Sequence, residues 1–178
     1  LGSGSAEPDI ISTLTLDEGE NGLISAVIDS ASGYAYFGTH TYPGKVVKID
    51  LGSGSSAPSR VGAVTLNSGE NSVGCGVIDS GNGYGYFGCS GSQFDPGYIV
   101  KIDLGIGSSA PTRIGATSSY SGVFKCAVID PDNGFAYFGN YWGPAYVGAR
   151  FLKVELGTGS SPPVILGTLN MEPVESYI

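Results

Sequence analysis

The chain has 178 residues, 41% of them apolar and only 13% charged. That is enough apolar material for one sizeable core and too little charge for salt-laced helices. The net charge of −8, with only eight Lys and Arg and no basic stripe, argues against nucleic acid and against anionic membrane surfaces, since both need clustered cations. No apolar run approaches the ~18 residues of a membrane span.

The chain opens on Leu1-Gly2-Ser3-Gly4-Ser5 with Pro8 following, and the frame returns at Leu51 to Pro58, Leu104 to Pro111 and Leu156 to Pro163. The leucines are 50, 53 and 52 residues apart. Such a period, with no helical pattern inside it, points to stacked or ringed β-units. The units fall at about 1–50, 51–103, 104–155 and a partial 156–178, one repeat array over 1–178. Both ends of the chain lie in phase inside a unit, so the expectation is a piece of a longer repeat protein.

Each unit holds four short runs rich in β-branched and aromatic residues. The first run is Leu23 to Ile28, returning as Val73 to Ile78 and Val123 to Ile129. A turn follows at Asp29 to Gly33, Asp79 to Gly83 and Asp130 to Gly134, where Asp binds nearby amides and Gly supplies a positive φ. The second run is Tyr34 to Gly38, Tyr84 to Gly88 and Phe135 to Gly139. The third is Val46 to Leu51, Ile99 to Leu104 and Phe151 to Leu156. The Leu-Gly-x-Gly-Ser segment then leads into the fourth, Arg60 to Leu66, echoed at Arg113 to Thr117 and Val164 to Leu169. Four meandering antiparallel strands per unit is the pattern of a β-propeller blade, so the fold class is all-β with three full blades and part of a fourth.

Gly33 to Thr39, Lys48 to Leu51 and Arg60-Val61-Gly62 together resemble the YVTN-type β-propeller repeats of surface and secreted proteins. The resemblance covers essentially the whole chain. It implies an extracellular or cell-surface interaction or structural module, and with no acid–base constellation in the sequence the first expectation is a non-enzymatic structural or adhesive building block. Propeller rings close with about four to eight blades. The partners expected are therefore further blades of a parent chain or other copies of this one, as an oligomer or filament.

Several candidate sites dissolve on their context. Gly52-x-Gly54-x-x-Ala57 and Gly105-x-Gly107-x-x-Ala110 mimic a dinucleotide fingerprint, but Pro and a β-run follow where a helix is needed, so the segment reads as a linker. The lone His40 and the absence of a Cys-x-x-Cys pair argue against zinc. Asp130 to Gly134 opens like a calcium loop, yet no closing acid follows, and a hairpin turn explains it better. No cofactor or metal is expected. No Gly-x-Ser-x-Gly elbow occurs, so nucleophilic hydrolysis is set aside. Glu20 and Glu70 recur at one turn, with Glu18 and Glu175 nearby, but the third unit has Ser121 there. They read as solvated turn carboxylates, and a polysaccharide lyase or hydrolase ranks last among the functions.

Cys75 falls opposite Cys89 when strand positions are counted from the turn at Gly81-Asn82, which predicts a Cys75–Cys89 disulfide in an oxidising compartment. Buried free thiols acting as apolar fillers are the alternative. By the same count Cys126 faces Asn140 and stays unpaired. Lys48 with Asp50, Lys101 with Asp103 and Lys153 with Glu155 share strand faces and suggest modest cross-strand or between-blade ion pairs.

The segments that vary between units are His40 to Pro43, Ser90 to Tyr98 with Phe94, and Tyr141, Trp142 and Tyr146. In a meandering blade these loops open on the same rim as the Glu20 and Glu70 turns. Aromatic rings beside carboxylates suit carbohydrate or protein contacts, the alternative function, unless the rings pack on the adjacent blade. Ser- and Thr-rich loops beside Pro offer O-linked glycan sites, and no Asn-x-Ser/Thr sequon exists.

Overall fold

The computed structural model describes residue 7 and residues 9–91, 95–142 and 148–171, and all regular structure among them is β. The first sheet contains β1 (Leu23–Asp29), β2 (Tyr34–Thr39), β3 (Lys45–Asp50) and β4 (Ser59–Thr65). The second contains β5 (Asn71–Asp79), β6 (Tyr84–Ser90), β7 (Pro96–Asp103) and β8 (Thr112–Ser121). The third contains β9 (Val123–Asp130), β10 (Phe135–Trp142), β11 (Gly148–Glu155) and β12 (Val164–Asn170). Each sheet is an antiparallel meander in chain order. These are the four runs read from the sequence, three times over, in propeller-type blades.

The hairpins between first and second strands close where Asp and Gly demand it. Asp29 O accepts from Gly33 N at 3.0 Å, and Asn82 and Asn133 donate to the carboxylates of Asp79 and Asp130 at 2.8 Å. The Asp130 turn that mimics a calcium loop is such a hairpin, β9 to β10.

The sheets stack face to face in sequence order, with β5 packed against both β1 and β9. Period-two alternation supplies two apolar faces per sheet. Tyr36, Val46 and Leu66 of the first sheet's side meet Val73, Phe87, Val100 and Ile102 in one seam. Cys75, Val77, Tyr86 and Ile99 meet Phe124, Ala136, Phe138 and Leu152 in the other. Neighbouring Tyr86 and Phe87 thus serve different seams. Each such fully buried side chain contributes about 1.5–3 kcal/mol, so the seams, not the loops, hold the stack together.

The sheets also cut the repeat at another phase. The Leu-Gly-x-Gly-Ser segment lies inside each sheet as the β3–β4, β7–β8 or β11–β12 loop. The described part of 156–178 therefore completes the third sheet.

The Cys75–Cys89 bridge does not form, and all three thiols are free. Two register shifts in β5, at Asn71/Val73 and Val73/Cys75, place Cys75 opposite Gly88 and Cys89 opposite Val73. Because a strand alternates faces, these bulges send Cys75 into one seam and Cys89 into the other. Burial pushes the Cys75 thiol up to about 12 and the Cys89 thiol well above its ordinary range. The third sheet carries a matching shift, so Cys126 pairs with Gly139 and Asn140 with Phe124, correcting the expected Cys126–Asn140 opposition.

Candidate functional site

The repeated lysines reach across the joints between sheets. Lys48 on β3 is fully buried, and its side chain leaves the first sheet for the second. Its Nζ shares three N–H donors among the carbonyl oxygens of Leu104, Gly105, Gly107 and Ser109, at 3.0, 2.6, 2.8 and 3.2 Å. Lys101 on β7 is likewise buried and donates to Gly157 O at 2.8 Å and Ser161 O at 3.2 Å. Each ammonium also lies 4.2 Å from the ring centroid of the tyrosine that opens the second strand, Tyr34 or Tyr84. A Lys charge is tolerable in such a place because carbonyl dipoles and a ring face replace its water. Desolvation draws both ammonium groups down from their ordinary value.

The segment read as a linker is therefore a receptor for the lysine of the preceding sheet. Its curl depends on glycine: Gly105 has φ 70°, and a Cβ there would come within 2.5 Å of Ser109 O. The acidic residue after the lysine builds the loop rather than pairing with it. Asp50 accepts from Gly52 N, and Asp103 from Gly105 N, both at 2.8 Å. The expected Lys–Asp ion pairs are thus replaced by two separate tasks, since Lys reaches forward while Asp folds back.

Glu20 and Glu70 are buried, correcting their reading as solvated carboxylates. Arg113 Nε donates to Glu70 Oε2 at 2.8 Å, with Nη2 on Oε1 completing a fork. Glu20 receives the same fork from Arg60 at 2.7 and 2.5 Å. Glu70 stands in the turn joining β4 to β5, its backbone oxygen takes Gly44 N of the first sheet, and Asn67 N caps its carboxylate. The hydrogen bond from Arg60 holds the Glu20 carboxyl below its ordinary value. A carboxylate bound this way is a poor general acid or base, because its lone pairs are committed. In the third sheet the register partner of Val154, matching Arg113, is Ile165, so that pair has no counterpart there.

The rim residues separate. His40 Nδ1 lies 2.7 Å from Ser72 Oγ, and Thr41 O accepts from Ser72 N, so this loop leans on the second sheet. Tyr42 stacks edge-on against His40 at 5.6 Å and stays 70% exposed. Tyr141 has Lys125 Nζ 5.8 Å from its ring centroid. Trp142 ends β10 opposite Gly148. Phe94 and Tyr146, like Glu175, lie outside the described residues, as does the side chain of Trp142. Sequence reading passed over Asn140 as a site. It lines a cleft of about 340 Å³ with Ser118, Ser119, Arg150, Leu152, Ile165 and Thr168. Asn140 is buried, with neither amide atom hydrogen-bonded. Among the described residues no three His, Cys, Asp or Glu side chains cluster as a metal would require.

With the blades in place, comparison with solved structures gives the same architecture. The chain is similar to Saccharomyces cerevisiae Sqt1, a WD40 β-propeller protein, with TM-score 0.63, 10% identity, and 89% of this chain matched to 38% of that one. It is similar to a eukaryotic initiation factor with TM-score 0.57, 12% identity, and 91% of this chain matched to 35% of that one. The fold is propeller-like. At these identities the likeness concerns the fold alone, and the chain spans well under half the length of either neighbour. No protein-family model and no curated protein matches the sequence.

Proposed function

We propose that this chain is a non-enzymatic, YVTN-type propeller segment that works by protein contact, as a structural or adhesive building block. One observation carries the reading. The recurrent charged side chains of the first two sheets, which a catalyst would need, are already occupied: Glu20 with Arg60, Glu70 with Arg113, and Lys48 and Lys101 in the loops of the next sheet. The extracellular or cell-surface setting belongs to this proposal and rests on the repeat resemblance. Glu70→Gln tests the role directly. The expected result is a lower melting temperature, with no turnover of any polysaccharide in a broad panel before or after substitution. Turnover by the parent chain that Glu70→Gln abolishes, with the fold intact, would overturn the reading.

A second reading has support of its own. Tyr42 projects from the rim, and Asn140 lines a cleft of mixed polar and apolar side chains with both its amide atoms unpaired, which suits a carbohydrate. Glycan-array binding that Tyr42→Ala, Asn140→Ala or Trp142→Ala removes would establish it, and an array with no hits would dismiss it.

A further inference from the structure

The third sheet repeats, on its far face, the features by which the second sheet grips the third. Cys126, Val128 and Phe151 stand at the register positions of Cys75, Val77 and Ile99. Yet Val128 is 61% exposed where Val77 is 8%, and Phe151 is 38% exposed where Ile99 is buried. Gly62 and Gly115 let the next sheet's loop come close, since a Cβ on them would lie 2.7 Å from Ala110 Cβ and 2.9 Å from Pro162 Cβ. At the matching Gly167 a Cβ would meet nothing within 4 Å. Lys153 matches Lys48 and Lys101, but its Nζ rests 3.9 Å from the Phe135 ring centroid and finds no carbonyl among the described residues.

The same chain carries the matching receptor at its other end. The β3–β4 loop of the first sheet has Gly52 at φ 69° and Gly54 at φ 59°, against 70° and 54° for Gly105 and Gly107. Ser56 N donates to Ser53 O at 3.0 Å, as Ser109 N does to Ile106 O. The loop is therefore already curled to take an ammonium, and no described lysine of its own chain reaches it. Ala57 occupies the place of Ala110, the residue that fills the gap over Gly62. On β1 of the same sheet Leu23 and Ile28 are exposed, at 44 and 59%, while their counterparts Val73 and Ile78 on β5 pack against the first sheet.

We propose that a second copy of this chain docks its first sheet on the third sheet of the first copy, with Lys153 entering the Gly52–Ser56 loop as Lys48 enters the loop at Gly105. The proposal rests on the reading of the chain as a contact-forming building block. A second copy is the occupant because it supplies the carbonyl receptor, the small residue over Gly167 and the apolar strand together. The contact is heterologous, and two copies joined twice give six sheets, within the range of about four to eight at which propellers close.

Sedimentation velocity of the 178-residue chain at physiological ionic strength, over a range of concentrations, should give a species of twice the 18.1 kDa monomer. Lys153→Met keeps the apolar stem and removes the charge, so the dissociation constant should rise about tenfold or more, the usual effect of losing a charge-assisted hydrogen-bonded group. A second variant fixes the geometry. Inside the chain a Cβ on Gly88 would lie 2.8 Å from both Cys75 Sγ and Phe124 Cβ, which places those two side chains together. Cys126 of one copy should face Leu23 of the next in the same way. Leu23→Cys should then give a reducible dimer on mild oxidation, above the background of the parent chain and absent when Cys126→Ser is added. A chain that stays monomeric at all concentrations overturns the proposal. So does a dimer that ignores Lys153→Met and fails to cross-link through Cys126. Either failure leaves the Glu70→Gln result standing, whereas turnover lost in that variant would overturn the building-block reading whatever the oligomeric state.

Discussion

Lys101 and Lys153 occupy one register position in the second and third sheets, and their surroundings differ completely. Lys101 is buried against the carbonyls of Gly157 and Ser161, while Lys153 lies on the ring of Phe135. Cys75 is buried and Cys126 is exposed in the same way. Each repeat thus encodes two half-joints, a lysine reaching forward and a curled loop receiving from behind. A joint exists only where two sheets meet, so identical residues are structural in one blade and available in the next.

The largest effect should come from the carboxylate–arginine pair that the third sheet lacks. Arg113→Met leaves Glu70 buried without its counter-charge and should cost about 3 kcal/mol in denaturant unfolding. A loss under about 0.5 kcal/mol would show that water or a neighbour takes over the carboxylate. Next, Lys48→Met withdraws the ammonium that four carbonyl oxygens share and should cost about 2 kcal/mol. In the dissociated chain Lys153→Met should stay within about 0.5 kcal/mol of the parent. Equal losses for the two lysines would erase the contrast between inner and outer faces.

Acid should act on the matching pair in the first sheet. The Arg60 hydrogen bond holds Glu20 below its ordinary value of 4.5, so the folded state binds this proton less readily than the unfolded one. Its contribution is full above that value and is lost as the pH falls through the folded one. Arg60→Met should flatten this acid limb, which a series of melting curves from pH 6 to pH 3 would reveal. The smallest effect separates the cysteines. In the dissociated native chain a thiol reagent should titrate one fast group, Cys126, with Cys75 and Cys89 reacting only on unfolding. Three fast groups would mean that the seams open readily.

The strands were legible because β-branched and aromatic runs, punctuated by Asp and Gly, recur at a fixed period. The joints were not. Lys48 meets its acceptors 56 to 61 positions away, and those acceptors are backbone carbonyls, which have no side-chain signature. Glu70 and Arg113 are 43 positions apart, one reading as a solvated turn carboxylate and the other as the head of a strand. Counting outward from the hairpin placed Cys75 on Cys89, and bulges in β5 moved the register past it. In the sequence Asn140 is only the residue opposite Cys126, and packing of the second sheet on the third makes it the wall of a cleft.

Local chemistry alone was sufficient to specify the threefold echo, the strands within it and the turns between them, because these depend on residues near one another in the chain. Packing of one sheet on the next decided which lysine is a lock and which thiol can react, and an arginine on the last strand of the same sheet decided which turn carboxylate is buried. Those outcomes depend on burial and on backbone groups brought close from a whole repeat away, and no short stretch of residues carries that information.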